Sequence, residues 1–185
     1  MALIPAKTIR LEDGTEVLLR CADDRDALAL LDATRAIFAD GDGMVIDPDE
    51  FEKTEDQEKA WIRDLNDNPR NLLLVAEVGG RIVGNIDFHS ARRRRLAHTG
   101  EFGISVQPAW RSRGVGTALL ERLIEWARGV QDLEKITLKV RADNRRAIAV
   151  YTKLGFVQCG VARDAMKLSD GIYVDDILME RFVRS

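Results

Sequence analysis

Apolar residues recur in alternating strand-like and helix-like spacings along the first half of the chain. The run at residues 17–19 predicts a first strand, and residues 22–38 follow with apolar side chains at near-helical spacing behind a candidate aspartate cap. A capping box formed by Thr54 and Gln57 predicts a second helix that ends near Leu65. The pattern therefore begins as a strand followed by two helices.

Glycine-containing segments separate these elements. Residues 40–50 combine Gly, Asp and Pro, which predicts a loop that we expect near a substrate entrance. Strand-like runs at residues 72–78 and 81–88 flank Gly79 and Gly80, and such a pair favours a two-residue hairpin turn. We therefore expect these two strands to be antiparallel.

The second half predicts the order strand, helix, strand, helix and then two final strands. Asp143 is the expected cap of the second of these helices, and Gly155 its end; the elements lie at residues 100–106, 114–129, 136–140, 144–154, 156–161 and 172–181. Strands joined through a helix are typically parallel. About seven strands are thus expected in an α/β (α+β) fold, with a mixed, mostly antiparallel sheet, a parallel pair in the middle and flanking helices.

Composition narrows the class of protein. The 185 residues are 45% hydrophobic with a net charge of -3, which favours one globular domain at residues 17–185 behind an N-terminal extension at residues 1–16. The near balance of acidic and basic residues argues against a nucleic-acid partner, and no apolar run is long enough to span a membrane. Cys21 and Cys159 lack metal-ligand spacing, so we expect reduced thiols in a cytoplasmic protein without a metal.

The segment Arg-Ser-Arg-Gly-Val-Gly-Thr, residues 111–117, lies between a predicted strand and a predicted helix. Its glycines let the backbone approach a ligand, and the first N–H groups of a helix have no partners within the helix. Together with the two arginines, these groups can hold a pyrophosphate. A tight turn without a ligand is the alternative for the glycines alone.

Two other phosphate motifs are excluded by the residues around these glycines. A P-loop requires a lysine and a hydroxyl after the second glycine, and they are absent. A dinucleotide-binding unit requires a third glycine where Leu119 stands, and an acidic residue at the end of the next strand, where Arg141 stands. Neither nucleotide-binding class fits.

Residues 107–120, Gln-Pro-Ala-Trp-Arg-Ser-Arg-Gly-Val-Gly-Thr-Ala-Leu-Leu, resemble the acetyl-CoA signature of the GNAT superfamily, whose core is Arg/Gln-x-x-Gly-x-Gly/Ala. Downstream, Val-Arg-Ala-Asp-Asn at residues 140–144, Ala-Ile-Ala-Val-Tyr at 147–151 and Leu-Gly-Phe at 154–156 resemble the next strand, helix and closing turn of that superfamily. The resemblance extends over residues 17–183. It implies the GNAT fold, with a splayed central pair of strands, and an N-acetyltransferase that uses acetyl-CoA as cosubstrate.

The resemblance also implies which residues bind the cosubstrate. In the family the pantetheine arm lies beside the strand before the signature, and the pyrophosphate lies on the signature itself. The implied cofactor-binding residues are Ile104, Ser105 and Val106 for the arm, Arg111, Ser112, Arg113, Gly114, Val115, Gly116 and Thr117 for the pyrophosphate, and Asn144 near the cofactor. Core packing for the strand residues and helix capping for Asn144 remain compatible alternatives.

Catalytic roles follow from the same resemblance. Tyr151 matches the family tyrosine that protonates the departing thiolate, although a tyrosine packed in a helix face is the alternative. Glu101 is the expected base for the attacking amine, with His98 as the reserve. Some family members use a glutamate where this chain has Lys139, which weakens a transfer of their mechanism. We expect direct attack of the amine, with a backbone N–H near Val106 stabilising the oxyanion.

The acceptor stays open at this stage. We expect the primary amine of a small molecule; a protein N-terminus, or a non-catalytic role as an acyl-CoA-binding regulatory module, is the alternative. Four consecutive arginines, residues 92–95, are expected in a solvated loop, or else as an attractant for an acidic substrate or an RNA surface. Exposed edge strands suggest a homodimer.

Overall fold

The computed structural model describes residues 4–40, 51–168 and 170–184. Within these residues the chain forms eight strands and four α-helices. They are β1 (Lys7–Arg10), β2 (Glu16–Cys21), α1 (Ala27–Asp40), α2 (Glu55–Asp67), β3 (Leu72–Val78), β4 (Arg81–Ser90), β5 (Thr99–Val106), α3 (Val115–Ala127), β6 (Lys135–Arg141), α4 (Arg145–Lys153), β7 (Val157–Lys167) and β8 (Tyr173–Phe182). Residues 41–50, which hold most of the predicted loop, lie outside the described residues.

The strands form one mixed sheet in the order β1-β2-β3-β4-β5-β6-β8-β7. Strand β5 pairs with β6 in parallel, while β1–β2, β2–β3, β3–β4, β6–β8 and β7–β8 are antiparallel pairs. The predicted α/β class, with a mostly antiparallel sheet and a parallel pair in the middle, is confirmed.

The sheet has eight strands where about seven were expected, and the additional strand is β1. Only Ile9 is apolar in Lys7–Arg10, so the segment lacks the alternation by which strands are recognised. It is a strand because its backbone pairs with β2, from Lys7 opposite Leu19 to Arg10 opposite Glu16. A short edge strand of this kind is defined by its neighbour rather than by its own side chains.

The chain divides into two compact units. The first consists of Met1–His89 and Gly103–Val130, and the second of Ser90–Phe102 and Gln131–Ser185. Strand β5 contributes its first half to the second unit and its second half to the first. Each unit is described below by itself.

The first unit places helices on both faces of its strands. One buried cluster joins α1 and α2 to β3 and β4; it consists of Ala22, Ala27, Leu30, Ile62, Leu65, Leu73, Val75 and Ile82, with Trp61 packed against it. On α3, Trp126 meets Phe88 of β4 edge-on, with ring centroids 5.3 Å apart. Leu119 of α3 lies 3.5 Å from the position a Cβ would occupy at Gly84 of β4.

The predicted capping box and the predicted hairpin turn are both present in the first unit. Thr54 caps α2 by accepting a hydrogen bond from the Gln57 amide, and the Gln57 side chain bonds back to Thr54, which completes the capping box. Gly79 and Gly80 both have positive φ, +55° and +80°, as a two-residue hairpin turn between β3 and β4 requires.

The second unit contains β6, β7, β8 and α4. Strand β6 pairs with β8 over its whole length, from Lys135 opposite Phe182 to Arg141 opposite Asp176. Its buried residues include Ile136, Leu138, Val140, Tyr151, Phe156 and Met179. Alternate residues of β6 therefore point into the core, as the sequence pattern predicts.

Strand β7 continues to Lys167, beyond the predicted end of this strand at residue 161. The pairing with β8 is irregular between Ala162 and Met166, where Asp164 has a positive φ of 48°. The Asp164 amide donates to Oδ1 of Asp175 on β8 at 2.9 Å, which holds the irregular segment against its neighbour. The sequence did not predict this extension, because a bulge interrupts the alternation of apolar and polar residues.

Candidate functional site

The segment between β5 and α3, in the first unit, is shaped to present backbone amides. A short 3₁₀ turn, Pro108–Trp110, follows β5, and Ser112 then takes the left-handed conformation with φ 58°. Gly114, with φ +95°, is the N-cap residue of α3, and no side chain caps the helix there. The first amides of α3 are thus not held by a capping side chain, which is the arrangement that binds anions at helix starts.

Three residues assigned to cofactor binding come together at the first turn of α3. A Cβ added at Gly116 would lie 3.6 Å from Val106 Cγ2 and 3.9 Å from Ile104 Cδ1. These are ordinary packing distances, so Ile104 and Val106 support the helix start from β5. Gly114 differs because its positive φ, rather than a lack of space, requires glycine.

The two arginines of the segment are both oriented by neighbours. Nε of Arg111 donates to the Val106 carbonyl oxygen at 3.2 Å. The Arg113 guanidinium stacks over the Trp110 ring, 4.2 Å from its centroid, and Nη2 donates to Oδ2 of Asp13 at 2.5 Å. Two positive charges are therefore held beside the amides of α3.

Asp13 was not predicted as a site residue. It lies in the turn between β1 and β2, and its hydrogen bond with Arg113 lowers the pKa of its carboxyl group from 3.8 to about 2. From the same turn, Leu11 Cδ2 lies 3.6 Å from the position of a Cβ on Gly114. Asp13-Gly14 signals a turn in the sequence, but nothing in the sequence indicates what the turn contacts.

Tyr151 lies on α4 in the second unit and is buried among aromatic side chains. Its ring is 5.8 Å from that of Phe102 and 6.0 Å from that of Phe156, both in edge-on contacts. Burial raises the pKa of the Tyr151 phenol to about 12. The hydroxyl is therefore protonated throughout the neutral range, the state that a proton donor requires.

Asn144 rather than Asp143 caps α4, which corrects the predicted cap. The Asn144 side-chain oxygen accepts a hydrogen bond from the Ala147 amide at 3.1 Å. Asp143 is instead engaged by Arg141, whose Nε donates to its carboxylate at 3.0 Å and lowers its pKa. A cofactor contact of Asn144 stays a prediction alongside this capping role.

The predicted base Glu101 and its reserve His98 lie on or next to β5 in the second unit. Glu101 is exposed and stands opposite Thr137 in the parallel pairing, while its neighbour Phe102 is buried. His98 is exposed, and its carbonyl oxygen accepts from the amides of Glu134 and Lys135. Glu101 thus lies on the exposed side of β5, and the catalytic roles of both residues stay predictions.

An aspartate and a histidine that the sequence reading did not single out form a pair on β4. His89 Nε2 lies 3.1 Å from Oδ2 of Asp87, two residues earlier on the same strand. Residues two apart on a strand point to the same face, so the pattern Asp-x-His was the available signal. Both residues belong to the first unit, which also holds the turn at residues 111–117.

The remaining sequence features are the arginine run, the two cysteines, and possible metal sites and membrane-spanning helices. Residues 92–95 are exposed between β4 and β5, partly in a 3₁₀ turn, Arg94–Leu96. Neither Cys21 nor Cys159 forms a disulfide within the described residues. In the ranges that the structure describes, no cluster of three or more His, Cys, Asp or Glu side chains could hold a metal ion. No helix in those ranges combines the length and apolar character needed to cross a membrane.

Comparison with known proteins decides the family. The sequence model of the acetyltransferase (GNAT) family matches residues 36–156. This protein belongs to the GNAT family. The L-amino acid N-acetyltransferase AaaT of Escherichia coli is 32% identical over 167 residues, which cover 90% of this chain and 98% of the relative. The N-alpha-acetyltransferase RimI of Mycobacterium tuberculosis is 36% identical over 107 residues, 55% of this chain and 62% of the relative.

Solved structures agree with this membership. A GNAT-family acetyltransferase from Streptococcus pneumoniae superimposes with a TM-score of 0.85 at 26% identity, covering 90% of this chain and 98% of the other. The putative acetyltransferase yncA of Salmonella typhimurium, solved with its cofactor acetyl-CoA, has a TM-score of 0.79 at 22% identity, covering 91% and 95%. The second likeness concerns the fold alone. This GNAT protein is an acyltransferase, and its family supports acetyl-CoA as the cosubstrate.

The residues around the turn fit such a donor. Gly114 leaves the start of α3 without a side-chain cap, and Arg111 and Arg113 add positive charge, which suits a pyrophosphate. When bound, acetyl-CoA supplies the acetyl group as a thioester, which an amine can attack. The chain itself has to bind this donor, orient the amine, take protons from its nitrogen and give one to the leaving sulfur.

Proposed function

We propose that this GNAT protein transfers the acetyl group of acetyl-CoA to the α-amino group of a free L-amino acid by direct attack. The observation that carries the transfer reaction is the uncapped start of α3 at Gly114, flanked by Arg111 and Arg113. The acceptor is proposed from the relative that matches nearly its full length and is named an L-amino acid N-acetyltransferase.

The proposed donor site consists of the residues named by the family signature. The backbone amides of Val115, Gly116 and Thr117 bind the pyrophosphate because they open α3. Ser112 holds the turn, and Ile104, Ser105 and Val106 line the pantetheine arm. Asn144 is retained as a further donor contact.

Tyr151 is the proposed proton donor. Protonation of the leaving sulfur makes coenzyme A thiol a better leaving group than the thiolate. The support is burial. It raises the pKa of the Tyr151 phenol to about 12, so the hydroxyl stays protonated at neutral pH. Glu101 stays the sequence-based candidate for removing the proton from the amine, and it is tested against another group below.

The first experiment measures release of free coenzyme A thiol from acetyl-CoA with a thiol-reactive dye. The acceptors are the common L-amino acids, their D-enantiomers, polyamines and short peptides with a free N-terminus. We expect saturable release with one or more L-amino acids, and mass spectrometry should show an added acetyl group on the α-nitrogen. Release with polyamines alone would move the acceptor to another class of amine.

A protein N-terminus is the second candidate acceptor. It is favoured by relatives named N-alpha-acetyltransferase RimI and, from Escherichia coli, [Ribosomal protein bS18]-alanine N-acetyltransferase, which is 43% identical over 72 residues. These relatives match about half or less of this chain, 55% and 38%. Saturable acetylation of N-terminal peptides without acetylation of free amino acids would favour this acceptor.

A non-catalytic acyl-CoA-binding module is the third candidate, and calorimetry separates it from both enzymes. Such a module binds acetyl-CoA in the titration yet releases no thiol with any amine in the panel. The buried Tyr151 argues against it, because a role in binding alone has no use for a proton donor.

The proposed oligomer is a homodimer formed through the second unit. Strand β7 ends the strand order, and the β7–β8 hairpin exposes Val157, Val161 and Tyr173 by 59%, 45% and 55%. A long edge strand with exposed apolar side chains favours pairing with a second copy. Light scattering after size-exclusion chromatography should give twice the mass of one chain, 20.8 kDa, and Val161→Lys should reduce it to one.

Two further expectations remain proposals. One is a single acetyltransferase domain at residues 17–185, supported by a family match that extends over residues 36–156. The other is a cytoplasmic location, which is the expectation from two cysteines without metal-ligand spacing.

A further inference from the structure

The Asp87–His89 pair on β4 is a pair of titratable side chains that the proposed function leaves unused. His89 Nε2 and Asp87 Oδ2 are 3.1 Å apart. The His89 side chain is 48% exposed and that of Asp87 only 20%. The carboxylate is thus anchored, while the imidazole that it holds is open to a molecule from solvent.

The pairing of β4 with β5 places Asp87 over a glycine. The Gln107 amide donates to the Val83 carbonyl oxygen at 2.9 Å, which sets Asp87 opposite Gly103. A Cβ at Gly103 would lie 3.0 Å from Oδ1 and 3.3 Å from Oδ2 of Asp87. The φ of Gly103 lies outside the left-handed region, so its backbone conformation does not require glycine. Glycine here makes room for the Asp87 carboxylate.

The pair lies on the face of β4 opposite α3. Residues 84 and 88 of β4 face Leu119 and Trp126 of α3. Asp87 and His89 alternate with them and point to the other face. Helices α1 and α2 pack on that face at Leu73, which stands opposite Asp87, but the His89 side chain farther along β4 is 48% exposed and can be reached by a second substrate.

The pair is also close to the segment proposed to hold the acetyl donor. Gly103 directly precedes Ile104, and three residues of strand, about 10 Å, separate it from Val106 at the edge of the anion-binding turn. A donor whose pyrophosphate lies on the turn and whose arm runs back along β5 brings its thioester towards Gly103. Asp87 stands directly opposite that residue.

We propose that His89, held by Asp87, is the base that removes the proton from the acceptor's ammonium group. The proposal rests on the proposed acetyl transfer. The ammonium proton passes to the His89 imidazole, the freed amine forms the new C–N bond, and the C–S bond of the thioester breaks. Tyr151, proposed above as the proton donor, protonates the leaving sulfur and regains a proton from solvent, while the nitrogen of the adduct loses its second proton to solvent. His89 then releases the first proton, so each turnover releases one proton in total.

The two side chains have different tasks in this step. Imidazole titrates near neutral pH and can therefore take up and release a proton in each turnover. The Asp87 carboxylate fixes the orientation of the ring and stabilises the imidazolium that forms, as in other carboxylate–histidine pairs. His89 is thus the catalytic residue, and Asp87 is a positioning residue that acts through it.

The experiment compares steady-state kinetics of wild type, His89→Ala, Asp87→Asn and Glu101→Gln, each checked for folding by circular dichroism and for acetyl-CoA affinity by calorimetry. General-base removal typically costs about 10²-fold or more in turnover. For His89→Ala we expect kcat to fall about 100-fold at saturating amine, with acetyl-CoA affinity within twofold of wild type. Added imidazole should restore part of this loss. Asp87→Asn should lower kcat about 10-fold without rescue by imidazole.

Asp132→Asn is the matched control, because it removes a carboxylate from an exposed turn and should leave kcat unchanged. Equal kcat in His89→Ala and wild type would overturn the proposal, and a loss confined to Glu101→Gln would assign the base to Glu101. If wild type releases no thiol with any amine, the proposed function itself has failed. The two failures are therefore distinguishable.

Discussion

Asp13 and Arg113 are 100 positions apart in the chain, and their side chains form an ion pair with Oδ2 and Nη2 2.5 Å apart. The same guanidinium also stacks over the Trp110 ring, at 4.2 Å from the ring centroid. The turn between β1 and β2 thereby reaches the segment that we propose binds pyrophosphate. An N-terminal carboxylate thus sets both the position and the net charge of that site.

Replacement of this carboxylate should strengthen donor binding at low salt. Asp13→Asn leaves the Arg113 charge uncompensated while Trp110 still orients it, so an anionic ligand is attracted more strongly. We expect acetyl-CoA affinity to rise about threefold at low ionic strength and the difference to vanish at about 1 M salt, where charges are screened beyond about 3 Å. Calorimetry at both salt concentrations tests this. Glu16→Gln, which breaks an exposed pair with Arg10 in the same hairpin, is the control; weaker binding in Asp13→Asn would show that orientation outweighs charge.

The same ion pair should contribute to stability in a defined pH range. Folding lowers the pKa of Asp13 from 3.8 to about 2, so the folded state favours the ionised form. The resulting stabilisation is present above pH 3.8 and is lost as the pH falls through about 2. The difference in melting temperature between wild type and Asp13→Asn should therefore be constant near neutral pH and shrink between pH 4 and pH 2. A difference independent of pH would contradict the assignment.

Alanine should be harmful at Gly114 and tolerated at Gly116. Gly114 has φ +95°, and a left-handed conformation costs a residue with a side chain about 1–2 kcal/mol. Gly114→Ala should lower the melting temperature by a few degrees and weaken acetyl-CoA binding at least 10-fold. Gly116→Ala should be tolerated, because its Cβ would make ordinary contacts of 3.6 and 3.9 Å. Thermal denaturation and calorimetry on both variants test this. Unchanged acetyl-CoA affinity in Gly114→Ala would contradict the proposal that the turn binds the donor.

Tyr151→Phe should separate chemistry from binding. The ring stays packed against Phe102 and Phe156, so the variant should fold and bind acetyl-CoA as wild type does. Loss of the proton donor should lower kcat about 100-fold. Because the pKa of Tyr151 is about 12, the wild-type rate should show no loss through ionisation of this phenol up to about pH 10. Tyr173→Phe, on an exposed tyrosine of β8, is the matched control, and equal turnover in Tyr151→Phe would exclude the acid role.

Gly103→Ala should disturb the Asp87–His89 pair without removing a titratable group. The new Cβ would lie 3.0 Å from Oδ1 of Asp87, and the carboxylate can move away because it is the far end of a side chain. We expect stability within about 1 kcal/mol of wild type and a kcat about 10-fold lower, since His89 loses its fixed orientation. Steady-state kinetics and thermal denaturation together test this. A stable variant with full activity would show that the position of Asp87 does not matter.

Features set by neighbouring residues could be predicted from the sequence. The capping box of Thr54 and Gln57, the hairpin at Gly79 and Gly80, and the alternation of β6 all depend on residues within a few positions of each other. The same holds for the turn at residues 111–117, whose spacing resembles the acetyl-CoA signature of the family. The prediction of a mixed sheet with a central parallel pair followed from the order of these elements and is confirmed.

Only the tertiary structure decided which distant groups meet. Strand β1 exists because β2 pairs with it, Arg113 is held by Asp13, and Gly103 makes room for Asp87. Arg141 engages Asp143, and Asn144 therefore caps α4 in its place. By itself the sequence determined most of the elements, their order and the turn proposed to bind the donor, because those depend on local backbone preferences and apolar spacing. The charge and steric environment of the site depends on contacts across strands, and those form only when the sheet brings separate segments within reach.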